Sequence, residues 1–238
     1  MRTKVLATAL TLALLGGVGF WTLHQQTPTH PEAAPTTSPV PLPKPAQLVK
    51  AAPSKPAVPH EAVAPAAPTA FELTGRAFTI KANVCQMDNV RPLDPPGDQF
   101  HTVCWVRQGF GVAPGSSSGG TSYILGHAWA EATLVLNPLS LYAMKDVTGH
   151  ASILQDGVPI FPITRVNGYH VVLHTPDGVL TYKVTTAFAV AKERAADVKA
   201  LMANTPNRVV LITCGVANGA DIDVNVVVYA MLESSVRT

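Results

Sequence analysis

The stretch VVLITCGVANG, residues 209–219, runs from an apolar segment through a single cysteine into a glycine-containing turn. The apolar segment predicts a β-strand, because it is short, rich in β-branched residues and bounded by turn residues. Alternate side chains of a strand share a face, so Val210, Ile212 and Cys214 point the same way. Cys214 then ends the predicted strand just before Gly215, where its thiol can meet a substrate in the adjoining loop.

Short apolar segments separated by turn clusters recur along the chain from about residue 71. The predicted strands are 77–84, 101–106, 121–126, 169–175, 179–190, 208–213 and 223–232. Only residues 191–203 have the apolar spacing of a helix, carried by Ala195, Val198, Leu201 and Met202. Many short strands with one helix predict an all-β domain, either a barrel or a sandwich.

The first 24 residues have the pattern of a membrane segment. Arg2 and Lys4 precede the apolar residues 5–23, a length close to the roughly 20 residues that cross a bilayer. We interpret residues 1–24 as a transmembrane signal anchor, because the bulky GFWTLHQQT (19–27) lacks the small residues of a cleavage site; a cleaved signal peptide is the alternative. Both predict an exported domain, and the anchor predicts a single-pass protein of the cell membrane with its folded domain outside.

Residues 25–70 are rich in proline and alanine and show no apolar periodicity. Such a segment cannot bury enough surface to offset its conformational entropy, so it is predicted to be a disordered linker. In an extended polyproline conformation it would span on the order of 100 Å. It is either a spacer or a tail without a spacing role, and the folded domain is predicted at residues 71–238.

The charge of the chain is low and nearly balanced. Charged residues make up 13% of the sequence, and the formal net charge is +2. Proteins that hold nucleic acid usually carry a broad basic surface, which this composition does not provide. We therefore expect no nucleic-acid partner, and no motif predicts a cofactor.

Three cysteines occur in the chain, at positions 85, 104 and 214. An odd number in an exported protein leaves one thiol unpaired. Cys85 and Cys104 lie near the ends of two early strands and could pair, which would leave Cys214 free. The alternative is that all three are buried as small apolar side chains.

A nucleophilic thiol needs a neighbouring base or cation that favours its thiolate. His127 closes the apolar strand TSYILGH (121–127) in the way that Cys214 closes its own. His170 and His174 share a strand face, but no third ligand has a suggestive spacing, so no metal site is predicted. The sequence therefore favours Cys214 and His127 as a reactive pair.

These residues carry a resemblance to a known family. YILGHAW (123–129), LITCG (211–215) and NVVVYA (225–230) together resemble the sortases, and the glycine after the cysteine is most similar to the actinobacterial class E and F members. Residues 163–184 also resemble the central hairpin of that family. The resemblance covers roughly residues 71–232.

The resemblance implies an eight-stranded β-barrel with one or two short helices. It also implies cleavage of a C-terminal sorting signal, usually Leu-Pro-x-Thr-Gly, on exported proteins. Cys214 would form a thioacyl-enzyme, and His127 would protonate the departing amine and then deprotonate an incoming peptidoglycan or pilin amine. The backbone and hydroxyl near Thr213 would help to stabilise the oxyanion.

One part of the family pattern is missing. Sortases carry an arginine after the cysteine, at the start of the last strand, but no arginine or lysine lies between Cys214 and Glu233. Asn225 stands where the arginine would be, and we expect it to contact the substrate or oxyanion as an uncharged donor. Arg208 lies roughly 20 Å back along its strand, whereas Arg107 and Arg165 remain possible substitutes.

Two other functions remain open. A catalytically degenerate sortase-like domain would bind sorting signals without turnover, and the missing arginine favours it. An exported L,D-transpeptidase would also place a histidine before a cysteine, but in a Ser-x-Gly-Cys context that LITCG does not match. The long segment 137–162 between the histidine and the cysteine is expected to shape the substrate groove.

Overall fold

The computed structural model describes residues 60–238 apart from Val90 and Gln108. The predicted anchor, residues 1–24, and most of the predicted linker lie outside the described residues. Residues 60–69 lie along the barrel: the amide of Glu61 donates to the Ser235 carbonyl at 2.9 Å, and Val63 is buried. Within the described part of the chain, no helix is long and apolar enough to span a bilayer.

The described residues form ten strands and two short α-helices. The strands are β1 (Ala70–Thr74), β2 (Thr79–Met87), β3 (Thr102–Val106), β4 (Thr121–Leu125), β5 (Ile153–Gln155), β6 (Val158–Ile163), β7 (His170–Thr175), β8 (Gly178–Ala191), β9 (Arg208–Ala217) and β10 (Ala220–Arg237). The helices are α1 (Asn137–Ala143) and α2 (Lys199–Met202), and two 3-10 turns occupy Met144–Asp146 and Lys192–Asp197.

Eight of these strands close into a barrel in the order β10, β9, β4, β3, β2, β1, β7, β8, with β8 pairing back to β10. The pairs β2 with β3 and β4 with β9 are parallel, and the others are antiparallel. The hairpin β5–β6 lies outside this ring and attaches to the second half of β8. The predicted eight-stranded barrel with few short helices is confirmed.

The strands bury side chains on both faces. Alternation directs one set into the barrel, where Leu73, Ile124, Leu173, Leu211 and Val228 pack together. The opposite face of β4, β8, β9 and β10 is covered by α2 and β6, and its buried set includes Tyr123, Phe188, Leu201, Val210 and Tyr229. Cys214 belongs to this outer face, because it alternates with Val210 and Ile212.

The segment predicted as a helix at 191–203 is only partly helical. It forms a 3-10 turn over Lys192–Asp197 and then the four-residue α2. The buried guanidinium of Arg208 donates to the carbonyls of Ala200, at 2.8 Å, and Ala203. Since these carbonyls are already satisfied by a side chain, the helix ends there without a capping turn.

Cys85 and Cys104 form a disulfide that joins the neighbouring strands β2 and β3. The two residues are direct partners in the parallel register, with Cα atoms 4.4 Å apart. Cys214 is the free cysteine of the described residues and is partly buried. The pairing that the sequence left open is therefore the one found.

Candidate functional site

Cys214 lies where β9 changes its neighbours. Strand β4 pairs with β9 only from Arg208 to Ile212, whereas β10 continues to pair as far as Ala217. The sequence suggested that Cys214 is the last residue of its strand, but β9 continues to Ala217. Cys214 instead lies just beyond the end of the β4–β9 pairing. That position leaves one side of β9 open around the thiol.

His127 lies just beyond the end of the neighbouring strand, β4. Leu125 pairs with Ile212 in the parallel register, and the Gly126 amide donates to the Ile212 carbonyl at 3.2 Å. His127 follows two residues after Leu125, as Cys214 follows two residues after Ile212, and both side chains line one cavity. The fold therefore brings the two sequence-predicted residues together.

The imidazole of His127 is held from the β2–β3 loop. Its Nε2 lies 2.9 Å from the Pro95 carbonyl and 3.4 Å from Asp94 Oδ1. The ring is largely covered, with 17% of the side chain exposed. The carbonyl and the carboxylate at Nε2 are both hydrogen-bond acceptors, so this environment suits the tautomer that carries its hydrogen on Nε2.

A cavity of about 230 Å³ contains both side chains. Its lining residues are Gln99, His127, Ala128, Trp129, Leu134, Lys192, Cys214 and Asp221. Trp129 is 43% exposed, so it offers an aromatic surface at the mouth of the cavity. The site therefore combines a thiol, an imidazole, a cation and apolar walls.

A buried serine replaces β4 as the partner of β9. The Ser140 hydroxyl in α1 donates to the Cys214 carbonyl at 2.8 Å and accepts from the Val216 amide at 2.8 Å. The side chain thus satisfies both backbone groups that lose their ladder beyond Ile212. The sequence reasoning missed Ser140; its only signal is a hydroxyl placed within the apolar segment NPLSLYA.

The loop that follows His127 is fixed by two polar side chains. Asn137 accepts from the amides of Trp129, at 3.0 Å, and Leu134, at 3.1 Å, and donates to the Trp129 carbonyl at 2.8 Å. Asp221 at the start of β10 accepts from the Ala130 amide at 2.9 Å. These bonds attach the histidine loop to α1 on one side and to the β9–β10 hairpin on the other.

Strand β10 carries a bulge directly opposite the cysteine. Ile222 pairs with Gly215 and Asn225 pairs with Cys214, so Asp223 and Val224 have no partner on β9. A Cβ on Gly215 would lie 2.6 Å from Val224 Cγ2. The close approach of the bulge therefore favours a glycine after the cysteine. β-Bulges are often found next to active sites.

Asn225 and Thr213 occupy different faces. Asn225 is the direct partner of Cys214 across the antiparallel pair, so the two side chains are on the same face, and Asn225 is partly buried. Thr213 is buried on the opposite face, and its hydroxyl has no hydrogen-bond partner in the described structure. The strand thus brings Asn225 to the thiol and directs the Thr213 side chain away from it.

None of the three arginines considered from the sequence lines this cavity. Arg107 pairs with Asp88 at 2.6 Å, and Arg165 pairs with Asp146 at 2.5 Å. Arg208 is buried under α2, with its guanidinium 4.8 Å from the Tyr229 ring centre. All three have structural partners elsewhere.

The electrostatic surroundings of Cys214 are mixed. Burial raises the pKa of its thiol, and Asp221, Asp94 and Asp223 raise it further. Lys192 acts in the opposite direction and favours the thiolate. Among the residues that the structure describes, no three His, Cys, Asp or Glu side chains are grouped closely enough to hold a metal ion.

A family model described as the sortase domain matches residues 76–233. Sortase E1 from Streptomyces coelicolor, solved with a tripeptide in its active site, is 13% identical with a TM-score of 0.45, covering 73% of this chain and 94% of that one. Sortase A from Listeria monocytogenes is 15% identical with a TM-score of 0.42, covering 72% of this chain and 91% of that one.

A third solved structure, the SrtA sortase from Actinomyces oris, is 17% identical with a TM-score of 0.40, and the match covers 72% of this chain and 88% of that chain. No curated protein matches the chain. The family assignment rests on the sortase-domain match over residues 76–233.

Proposed function

Because the chain belongs to the sortase family of cysteine transpeptidases, we propose that Cys214 and His127 are the nucleophile and the proton carrier of a peptide transpeptidase. The observation that carries this proposal is their meeting in one cavity. The proposed substrates are exported proteins with a C-terminal sorting signal of the Leu-Pro-x-Thr-Gly kind. The motif and the class E or F subtype remain predictions from the sequence.

In the first step the Cys214 thiolate attacks the carbonyl carbon of the signal threonine. The carbon–nitrogen bond to the next residue breaks, and the proton on His127 goes to the departing amine. The products are a thioester on Cys214, a neutral imidazole and a released C-terminal peptide. Two easier steps replace one difficult amide exchange, which is the advantage of covalent catalysis.

In the second step an amine of peptidoglycan or of a pilin subunit attacks the thioester. The carbon–sulfur bond breaks, His127 takes the proton of the incoming amine, and the Cys214 thiolate is restored. Acids and bases in such roles commonly contribute 10²- to 10⁴-fold in rate. The carbonyl and carboxylate beside Nε2 hold the imidazole ring in place within the cavity.

Asn225 is proposed as a hydrogen-bond donor to the substrate or oxyanion, because it faces the thiol from the next strand. Thr213 is not given that role, since its side chain is directed to the other face and its backbone pairs with Val226 of β10. We also propose that residues 1–24 anchor the protein in the cell membrane with the barrel outside. Its support is the apolar length of residues 5–23.

The test is an intact-mass experiment on the full-length chain in mild detergent. The chain is incubated with a library of sorting-signal peptides, and a thioacyl adduct is sought before and after addition of an amine acceptor. We expect an adduct that is absent from Cys214→Ala and His127→Ala and present in His174→Ala, which changes an exposed histidine on β7.

Two results would point to other functions. Peptide binding that is unchanged in Cys214→Ala, without any adduct, would identify a binding domain that has lost catalysis. Activity on muropeptides without activity on sorting signals would identify an L,D-transpeptidase instead.

A further inference from the structure

Lys192 is the one lysine or arginine among the residues that line the cavity around Cys214. It follows directly after β8, whereas the position expected for the family arginine is on β10. Its ammonium group is 3.7 Å from Asp223 Oδ1, and 41% of its side chain is exposed. This contact is loose and open to solvent, so Asp223 does not confine the ammonium group to one position.

The strand register explains how Lys192 reaches the site. Cys214 pairs with Asn225 on β10, and Asn225 pairs with Val190 on β8. Lys192 lies two residues beyond Val190, just past the end of β8, and it lines the same cavity as Cys214. The thiol on β9 is thus flanked by Asn225 and Lys192 on the β10 and β8 side and by His127, just after β4, on the other side.

Most of the charged groups around the Cys214 thiol are carboxylates, and Lys192 opposes their effect on the thiolate. The groups that surround Cys214 are His127 on the β4 side, Asp94 from the β2–β3 loop, Asp221 and Asp223 from β10, and Lys192 after β8. The three carboxylates all disfavour a negative charge at sulfur, and partial burial disfavours it as well. Lys192 is thus the permanent positive charge that opposes them.

We infer that Lys192 supplies the positive charge that this active site needs to form the Cys214 thiolate. The inference rests on the proposed function only in that Cys214 is taken as the nucleophile. Asp223 of the β10 bulge forms only a solvent-exposed ion pair with Lys192, at 3.7 Å. Lys192 is accordingly a positioning residue for the thiolate.

The experiment measures the rate of Cys214 alkylation by iodoacetamide as a function of pH, on the full-length chain in mild detergent. Only the thiolate reacts, so the rate follows its population and needs no peptide substrate. We expect Lys192→Met to slow alkylation near neutral pH by about three- to tenfold and to move the profile to higher pH. Lys192→Arg should restore most of the rate, since it restores the charge.

Lys183→Met is the matched control. Lys183 is on the same strand, β8, and is also paired with a carboxylate, Glu233 at 3.8 Å, but it does not line the cavity. It should leave the profile unchanged. Added salt should reduce the difference between the wild type and Lys192→Met, because an exposed charge is screened.

The outcomes separate this inference from the proposed function. A Lys192→Met profile that coincides with the wild-type profile overturns the inference, as does a wild-type thiol that no pH makes reactive. A shifted profile rescued by Lys192→Arg supports it even if no sorting peptide is cleaved, and in that case only the proposed transpeptidase activity fails.

Discussion

The Ser140 hydroxyl bridges the Cys214 carbonyl and the Val216 amide, each at 2.8 Å. This single side chain replaces the ladder that β4 gives to β9 up to Ile212. It leaves the thiol side of β9 open to a substrate without leaving buried backbone groups unpaired. The candidate nucleophile is thus positioned by a helix that the sequence pattern did not identify.

Ser140→Ala is expected to weaken both folding and catalysis. It leaves a carbonyl and an amide without partners, and each buried unsatisfied group costs about 1–3 kcal/mol. Denaturant unfolding should show a lower free energy of unfolding, and kcat for peptide cleavage should fall more than KM changes. Ser152→Ala, at an exposed position, is the control. Equal unfolding curves for Ser140→Ala and wild type would contradict the bridging role.

Gly215→Ala is expected to destabilise the hairpin beside the thiol. The new Cβ would be 2.6 Å from Val224 Cγ2, and overpacking of this kind typically costs about 1–3 kcal/mol. Thermal unfolding of Gly215→Ala, Val224→Ala and the double variant tests this contact. The loss from Gly215→Ala should be smaller in the Val224→Ala background, because residues in contact are not additive.

Gly119→Ala is the matched control for this cycle, because nothing lies within 4 Å of its added Cβ. It should change stability little. If Gly215→Ala costs the same in both backgrounds, the contact with Val224 is not the reason for the glycine.

Parts of this molecule follow directly from the sequence. The sequence pattern locates β4 to within one residue and the central parts of β9 and β10, whose apolar runs are rich in β-branched residues, although both strands extend beyond the predicted ranges 208–213 and 223–232. The Asn218-Gly219 turn between the last two strands has φ values of 52° and 73°, which is the conformation that Asn-Gly favours in a two-residue hairpin. At these positions the apolar pattern of the strands and the residue types of the turn predict the same structure, so the hairpin can be located from the sequence.

Other parts depend on contacts between distant segments. The hairpin β5–β6 was missed because Pro159 and Pro162 interrupt its apolar pattern. Helix α1 has only seven residues, too few for a clear period. The roles of Ser140 and Lys192 follow from register and packing, since neither residue is near Cys214 in the chain. A sequence pattern holds no signal for such pairings.

Reduction of the Cys85–Cys104 disulfide is expected to destabilise the barrel. The bond closes a loop with a sequence separation of 19, and native disulfides of this kind contribute about 2–4 kcal/mol. Thiol titration of the denatured chain should find one thiol before reduction and three after it. The melting temperature should fall with reductant in the wild type but not in a Cys85→Ser, Cys104→Ser double variant. Three thiols without reductant would contradict the pairing.

Two tyrosines near Arg208 offer a matched pair of substitutions. The Tyr123 hydroxyl donates to the Leu201 carbonyl at 2.7 Å, whereas the Tyr229 hydroxyl is buried and has no partner in the described structure. Tyr123→Phe should therefore lower the free energy of unfolding by about 1 kcal/mol. Tyr229→Phe removes only an unsatisfied group, so we expect stability that is equal to or higher than that of the wild type.

Alkaline pH should weaken the folded state through its buried tyrosines, which include Tyr182 as well as this pair. Burial raises the pKa of Tyr229 and, to a smaller extent, that of Tyr123. As the pH passes about 10, the unfolded chain loses these protons first. The folded state then holds more protons, so its stability falls as the pH rises. The free energy of unfolding, measured with urea at pH 8 and near pH 10.5, should fall less between the two pH values for Tyr229→Phe than for the wild type. An equal fall would mean that the Tyr229 phenol ionises as freely in the folded protein as in the unfolded chain.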